Sequence, residues 1–217
     1  MSLFPEPQGS LGFPQPLAEK YRPRTIESFI GLDKQRKILA AFAQRPTSCA
    51  WLFVGASGTG KSTLAMAMSD AIGGELHKIP SQNCNLETIN NVVRMCWYCP
   101  SIAGGFHVVL ADEADRMSPA AQLALLSKLD STDPAPNTIW VFTANDTGNL
   151  EKRFLSRCRV LEFSTYGMRT PLAAFLAEVW EKETGKPGTL DWERIAKDAT
   201  GNVREALSVL ELELLAQ

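Results

Sequence analysis

The run Gly55-Ala56-Ser57-Gly58-Thr59-Gly60-Lys61-Ser62 has the spacing G-x-x-x-x-G-K-S. Glycines at these places let backbone N–H groups turn inward and approach an anion with no Cβ in the way. Lys61 adds a positive charge and Ser62 a hydroxyl suited to Mg2+. A helix that starts here and runs on through Thr63 points its positive end at the same anion. The chemistry this set serves is the grip of a nucleoside triphosphate and its metal ion. An accidental glycine-rich turn also matches the letters, but not with an apolar run before it and a helical run after it. Further on, His107 to Met117 reads HVVLADEADRM. Asp112 closes an apolar run, where its carboxylate can hold Mg2+ through water, and Glu113 can polarise an attacking water. Two acids after a strand also cap turns; the glycine loop in the same chain favours the site. Asp115 fits a solvated acid near a helix start as well as it fits the site.

These groups need strands and helices to hold them. The short apolar runs CAWLFV, FHVVLA and TIWVFTA read as buried strands, ELHKI as a weaker one and RVLEF as the last. Between them fall helical patterns. STLAMAMSDAI follows the glycine loop and ends at Gly73-Gly74. LETINNVVRMCWYC follows the weak strand. PAAQLALLSKLD opens with Ser118 as N-cap and Pro119 at the first helical position. A short helix is expected from Leu150 to Leu155. Near the start, Ile38, Leu39 and Phe42 share one helical face. Strands alternating with helices imply an α/β fold with a parallel five-stranded sheet covered on both faces. After Phe163 only helices are expected. Thr170-Pro171 starts one, with Leu172, Phe175, Leu176, Val179 and Trp180 as its apolar stripe and Gly185 as its end. LDWERIAKDAT is the next. The third, NVREALSVLELELLA, sets Val203, Ala206, Leu207, Leu210 and Leu214 on one face. The expected division is a flexible N-terminal tail at 1–17, rich in Pro, Gly, Ser and Gln, an ATPase domain at 18–165 and a small helical lid at 166–217.

A chain of 217 residues, 45% hydrophobic, suffices for one α/β domain and a small appendage. It is too short for the two full nucleotide-binding lobes of a helicase, which weighs against that reading of the letters D-E-A-D at Asp112 to Asp115. The net charge of -2 creates no strong field toward nucleic acid, so any such contact needs a local basic patch or several copies together. Five cysteines, an odd number, and a start with no basic n-region or long apolar run point to reduced thiols and a cytoplasmic location. No stretch approaches the roughly 18 apolar residues of a membrane span.

In order along the chain stand EKYRP (Glu19 to Pro23), the glycine loop, LADEAD, TAN (Thr143 to Asn145), SRC (Ser156 to Cys158) and GNVREAL (Gly201 to Leu207). Over residues 18 to 215 this series resembles the AAA+ clamp loaders, above all the small subunits of replication factor C and their phage counterparts. The glycine loop and acid pair are common to many ATPases; their combination with EKYRP and SRC is far more specific. The resemblance implies an AAA+ P-loop NTPase core followed by a helical lid, with ATP and Mg2+ as cofactors. It implies that Asn145 is the sensor 1 residue, orienting the hydrolytic water with Glu113. Arg157 would be an arginine finger that reaches the site of a neighbouring subunit, and Arg204 the sensor 2 arginine carried by the lid. Tyr21, Arg22 and Pro23, with Ile30 and Gly31, would wrap the adenine. Each has a plainer alternative: a turn asparagine, a helix C-cap partner, a surface salt bridge. The partners implied are copies of itself or related AAA+ subunits in a ring or arc, DNA, and a sliding clamp, with no membrane. Arg94 and Lys128 are the residues assigned to DNA, although single basic residues on helices are usually solvated.

Clamp-loader subunits carry a helical collar after the lid, and this chain stops at the sensor 2 helix. Either the sequence is a fragment of a longer protein, or assembly is expected through the ATPase faces, the N-terminal arm or another subunit. Three rivals follow: a DNA-associated AAA+ regulator forming rings or filaments in transposition, repair or defence; a binding module that uses nucleotide only to assemble; and a small-molecule P-loop kinase. The set Lys61, Asp112, Glu113 and Asn145 weighs against the second, and the lid pattern against the third. Cys96 and Cys99 form a C-x-x-C, with Cys84 upstream and His107 downstream. A structural zinc wants four ligands at suitable spacing. Only one pair has it, on an expected helix among apolar side chains, so these cysteines are read as buried thiols. Cys49 and Cys158 are read as structural or incidental.

Overall fold

In the computed structural model, the described residues are 15–80, 84–98, 100, 105–130 and 135–216. Most of the expected tail, residues 1–14, and Cys99 lie outside them. Five strands form one parallel sheet: β1 Cys49–Gly55, β2 Glu75–Ile79, β3 His107–Ala111, β4 Thr138–Ala144 and β5 Arg159–Phe163, in the order β2-β3-β4-β1-β5. Every neighbouring pair is parallel. Parallel strands need crossovers and helices on both faces, which is why the inner strands β1, β3 and β4 read as near-continuous apolar runs, while the edge strands β2 and β5 do not.

Alternation along the central strands divides the core. Ala50, Leu52, Trp140 and Phe142 face one layer, with Ile89, Val92 and Val93 of α4 (Leu86–Cys96) and Ala121 and Leu125 of α5 (Pro119–Leu129). Trp51, Phe53, Ile139 and Val141 face the other, with Leu39 of α2 (Asp33–Gln44) and Leu64, Ala65 and Met68 of α3 (Lys61–Ala71). Side chains cap α4 and α5 on this face of the sheet. The Asn85 side chain accepts from Thr88 N at 2.9 Å, and that of Ser118 from Ala121 N at 3.2 Å.

A third core gathers α1 (Leu17–Lys20), α7 (Arg169–Thr184), α8 (Trp192–Asp198) and α9 (Val203–Leu215). Leu172, Leu176, Val179 and Trp180 of the expected stripe are buried there, with Phe175 half-covered. On α9, Ala206, Leu207 and Leu210 are buried, and Val203 and Leu214 pack at the margin. Leu17, placed in the tail by composition, opens α1 and is buried in the same core.

Several expected boundaries move. α7 starts at Arg169 behind Met168, whose side chain gives no cap, rather than at a Thr170 cap. Pro171 lies in its first turn, where a missing N–H breaks no helical hydrogen bond. α4 stops at Cys96, short of Cys99. The helix expected from Leu150 is α6, Lys152–Leu155. Among the described residues no helix is long and apolar enough to cross a membrane.

Candidate functional site

The sheet delivers its chemistry at the carboxyl ends of β1, β3 and β4. Val54 pairs with Ala144 and Ala111 with Phe142, so the residues that follow these strands meet on one rim. That is where ligands sit in open α/β sheets. After β1 comes the glycine loop, after β3 Asp112, after β4 Asn145.

The loop is tightly folded. The Thr59 hydroxyl donates to Ala56 O at 2.8 Å. Lys61 is only 8% exposed, and its Nζ donates to Gly55 O at 2.6 Å, Ala56 O at 2.8 Å and Asn145 Oδ1 at 3.3 Å. The ammonium is thus aimed along the rim and touches the sensor 1 candidate. Burial pushes its pKa below the ordinary lysine value, against the opposing pull of Asp115, Asp112 and Glu113. Gly58 has φ +76, and an added Cβ would stand 2.0 Å from Asn202 Oδ1. Asn202 caps α9 by accepting from Glu205 N at 3.2 Å. Helix α9 therefore begins directly on the glycine loop.

Ser62 Oγ donates to Asp112 Oδ1 at 2.5 Å, and Thr143 Oγ1 donates to the same oxygen at 3.0 Å. Thr143 Oγ1 also accepts from Glu113 N at 3.1 Å, so one hydroxyl ties both acids to β4. Glu113 adopts φ 52, ψ 51, the left-handed region, and its carboxylate pairs with Arg116 at 3.3 Å. Asp115 is part of the rim: its Oδ1 accepts from Asn145 N at 3.1 Å, fixing the backbone that presents the asparagine.

Two adjoining clefts follow from this arrangement. The polar one is lined by Ser57, Gly58, Gly60, Lys61, Ser62, Thr63, Pro80, Asp112, Glu113, Thr143, Asn145 and Arg204. The more apolar one is lined by Tyr21, Arg22, Pro23, Phe29, Ile30, Leu32, Met168, Val203 and Leu207. Gly58, Gly60, Thr63 and Arg204 line both, which makes them two halves of one space. Its shape, an apolar slot leading to a cationic, hydroxyl-lined rim, suits a purine and its phosphates.

The structure therefore brings together most of the expected residues. Gly31 is an exception: it does not line the slot. With φ +59 it turns the chain under Met168, whose sulfur a Cβ would meet at 2.3 Å. Arg157 also lies elsewhere. It is 28% exposed, its Nη2 donates to Asp130 Oδ2 at 2.6 Å and its Nη1 to Arg153 O at 2.8 Å. Arg94 is exposed on α4 and Lys128 half-buried on α5, two helices that pack together on one face of the sheet. Thr143, Asn202, Phe29, Met168, Val203 and Leu207 were not singled out for the site by sequence. Thr143 had a local signal as the first letter of TAN at a strand end, and Asn202, Val203 and Leu207 lie within the quoted GNVREAL run; Phe29 and Met168 had none.

Residues 51–166 match the family model of the ATPase family associated with various cellular activities (AAA). The replication factor C small subunit of Picrophilus torridus is 26% identical over 200 residues, covering 89% of this chain and 62% of that protein. Replication factor C small subunit 1 of Pyrobaculum islandicum is 29% identical, covering 89% of this chain and 60% of that protein. Replication factor C subunit 3 of Blastobotrys adeninivorans is also 29% identical, over 90% and 59%. The chain thus spans about 60% of the length of these relatives. Among solved structures, the Thermotoga maritima RuvB Holliday junction branch migration motor superposes with a TM-score of 0.71 at 22% identity, covering 88% of this chain and 64% of that one. At that identity the likeness is one of fold.

Proposed function

The chain belongs to the AAA family of ATPases, and on that premise we propose that it binds ATP with Mg2+ in the joined clefts and hydrolyses it at a seam between two subunits. In our reading hydrolysis drives a clamp-loader type of assembly on DNA, in a ring or arc of its own copies or of related subunits. The observation that carries the proposal is the meeting of Lys61, Ser62, Asp112, Thr143 and Asn145 on one rim, with Lys61 hydrogen-bonded to Asn145 and Asp112 to both Ser62 and Thr143. The similarity to replication factor C subunits supports the DNA-directed part. A division into an ATPase unit, 18–165, and a lid, 166–217, goes with it.

The roles follow from chemistry. Tyr21, Arg22, Pro23 and Ile30 flank the base. The loop from Gly55 to Thr63 offers its N–H groups to the phosphates, and Lys61 supplies a positive charge. Ser62 and Asp112 would hold Mg2+: two hard oxygen donors side by side suit an ion that keeps several waters, and the bound ion neutralises charge on the β- and γ-phosphates. Glu113 accepts a proton from the attacking water, which Asn145 orients. Arg204, at the mouth of both clefts, links the γ-phosphate to the lid. Arg157 serves the next subunit's site, and Arg94 and Lys128 lie on helices offered to DNA.

An arginine supplied in trans to a phosphoryl-transfer site is worth about 10³ to 10⁵ in rate. ATPase activity per subunit is expected to rise steeply with protein concentration, and again with primed DNA. Measured turnover that stays constant from concentrated protein down to a monomeric dilution would overturn the seam.

A further inference from the structure

At the opposite end of the sheet from this rim, three groups converge that the proposed ATPase does not use. His77 on β2, His107 at the start of β3 and Cys96 at the end of α4 place one ring nitrogen of each histidine and Cys96 Sγ within 4.8 Å of one another. Cys96 is fully buried, His107 is 2% exposed and His77 is half-buried. From these positions we propose a zinc site held by His77, Cys96 and His107, with the carboxylate of Glu75 as fourth ligand. Cys96 is a buried thiol, as the sequence implies; the proposal adds His77, which had no spacing signal that linked it to the C-x-x-C.

The ring nitrogens are arranged as metal ligands need. His107 Nε2 lies 2.9 Å from Tyr98 O, and a carbonyl only accepts, so Nε2 carries the proton. The His107 lone pair is then on Nδ1, directed at His77 Nε2 2.9 Å away. A ligand histidine whose second nitrogen donates to a backbone carbonyl is the usual support around a bound metal. Without a cation, His77 Nε2–H can satisfy His107 Nδ1, and the Cys96 thiol is left with its hydrogen bond to Thr138. With one, both lone pairs and the thiolate share a centre.

Charge and access also fit. Glu75 faces His107 in the strand register, and its carboxylate oxygens lie 3.9 Å from His107 Nδ1 and 4.0 Å from His77 Nε2. One thiolate and one carboxylate balance a divalent ion, which removes the cost of burying an unpaired charge. Glu75 is 37% exposed, leaving a path from solvent. Two imidazole nitrogens, a sulfur and an oxygen form a donor set suited to zinc in tetrahedral geometry, at metal–ligand distances of about 2.0 to 2.3 Å. Small side-chain shifts close the present spacing to that geometry. Zinc binding takes the proton from Cys96; the thiolate forms a bond to the ion and the proton goes to solvent. The bound ion would fasten the end of α4 to the edge of the sheet.

The test is metal analysis of the full chain, purified without chelators or metal-affinity resin and dialysed against zinc. About one zinc per chain is expected, and cobalt(II) exchanged into the protein should show the intense visible and thiolate charge-transfer bands of a tetrahedral site. Cys96→Ser and His77→Ala should each lower the zinc content at least tenfold, while Cys84→Ser, a buried cysteine outside the cluster, should leave it unchanged. ATP binding should survive in Cys96→Ser, since the cluster lies at the far end of β3 from Asp112. Wild-type protein that takes up no zinc and shows no cobalt–thiolate band overturns the proposal, and so does zinc that both variants retain. If His77→Ala does not fold, the cobalt spectrum of the wild type and the Cys96→Ser content still decide.

Discussion

Asp112 and Glu113 are chain neighbours in different surroundings. Asp112 has one oxygen held by two hydroxyls, from Ser62 and Thr143. Glu113 is turned into the left-handed region, which costs a non-glycine residue about 1 kcal/mol or more and persists only where the surroundings impose it. The imposing contact is its own N–H on Thr143 Oγ1. The turn swings the second carboxylate out of the strand direction and toward Arg116, leaving it beside the phosphate cleft rather than packed against Asp112. Glu113→Gln keeps the backbone turn and the side-chain length and removes the capacity to take a proton, together with the exposed ion pair to Arg116. ATP affinity should remain within about twofold, while single-turnover hydrolysis falls by about 10² to 10⁴, the range of general-base effects. Rapid-quench measurement of phosphate release checks this; hydrolysis near the wild-type rate would take the role away from Glu113.

Among the elements, α1 shows what a short segment does and why sequence hides it. It is four residues long, too short to display a helical period. Its value lies in distant contacts. Lys20 Nζ lies 2.7 Å from Glu183 on α7, and the Tyr21 hydroxyl donates to the same carboxylate. Those partners hold the Glu183 pKa below the ordinary glutamate value. A folded-state pKa that is depressed adds stability above the unfolded value, and that stability is lost as pH falls through the folded one. The stability gap between wild type and Glu183→Gln should therefore be full above pH 4.5 and narrow as pH drops below it. Because the pair is partly solvated, the gap at neutral pH should be no more than about 1 kcal/mol. Denaturant titrations of both proteins across that range check it, and a gap independent of pH would remove Glu183 from the link. The strands were legible because a sheet covered on both faces demands unbroken apolar runs, and α2, α3, α5, α7 and α9 because each buries one stripe. The glycine loop, Asp112 and Asn145 were legible because they follow strand ends directly. Asn202 over Gly58, Met168 over Gly31 and His77 beside Cys96 join residues far apart in sequence, and no local pattern records such meetings.

For the whole molecule, the position of Arg157 is decisive. It lines neither half of the nucleotide cleft among the described residues; it is tied to Asp130 on its own chain. A contribution to hydrolysis then requires a second copy, arranged head to tail so that one subunit's Arg157 meets another's Lys61. Such an arrangement separates the two halves of one active site onto two chains, and the halves can be broken independently. Lys61→Ala leaves a subunit that offers the arginine but grips no triphosphate. Arg157→Ala leaves one that grips but offers nothing. Each variant alone should be inactive, by about 10³-fold or more for Arg157→Ala. An equimolar mixture should regain activity, since about a quarter of randomly formed seams pair an intact Lys61 with an intact Arg157. Steady-state ATPase assays of the two proteins, separate and mixed, at a concentration where the wild type is fully active, check this. A mixture as silent as its components, with both variants still joining wild-type assemblies, would place Arg157 outside the reaction and return it to its local bond with Asp130.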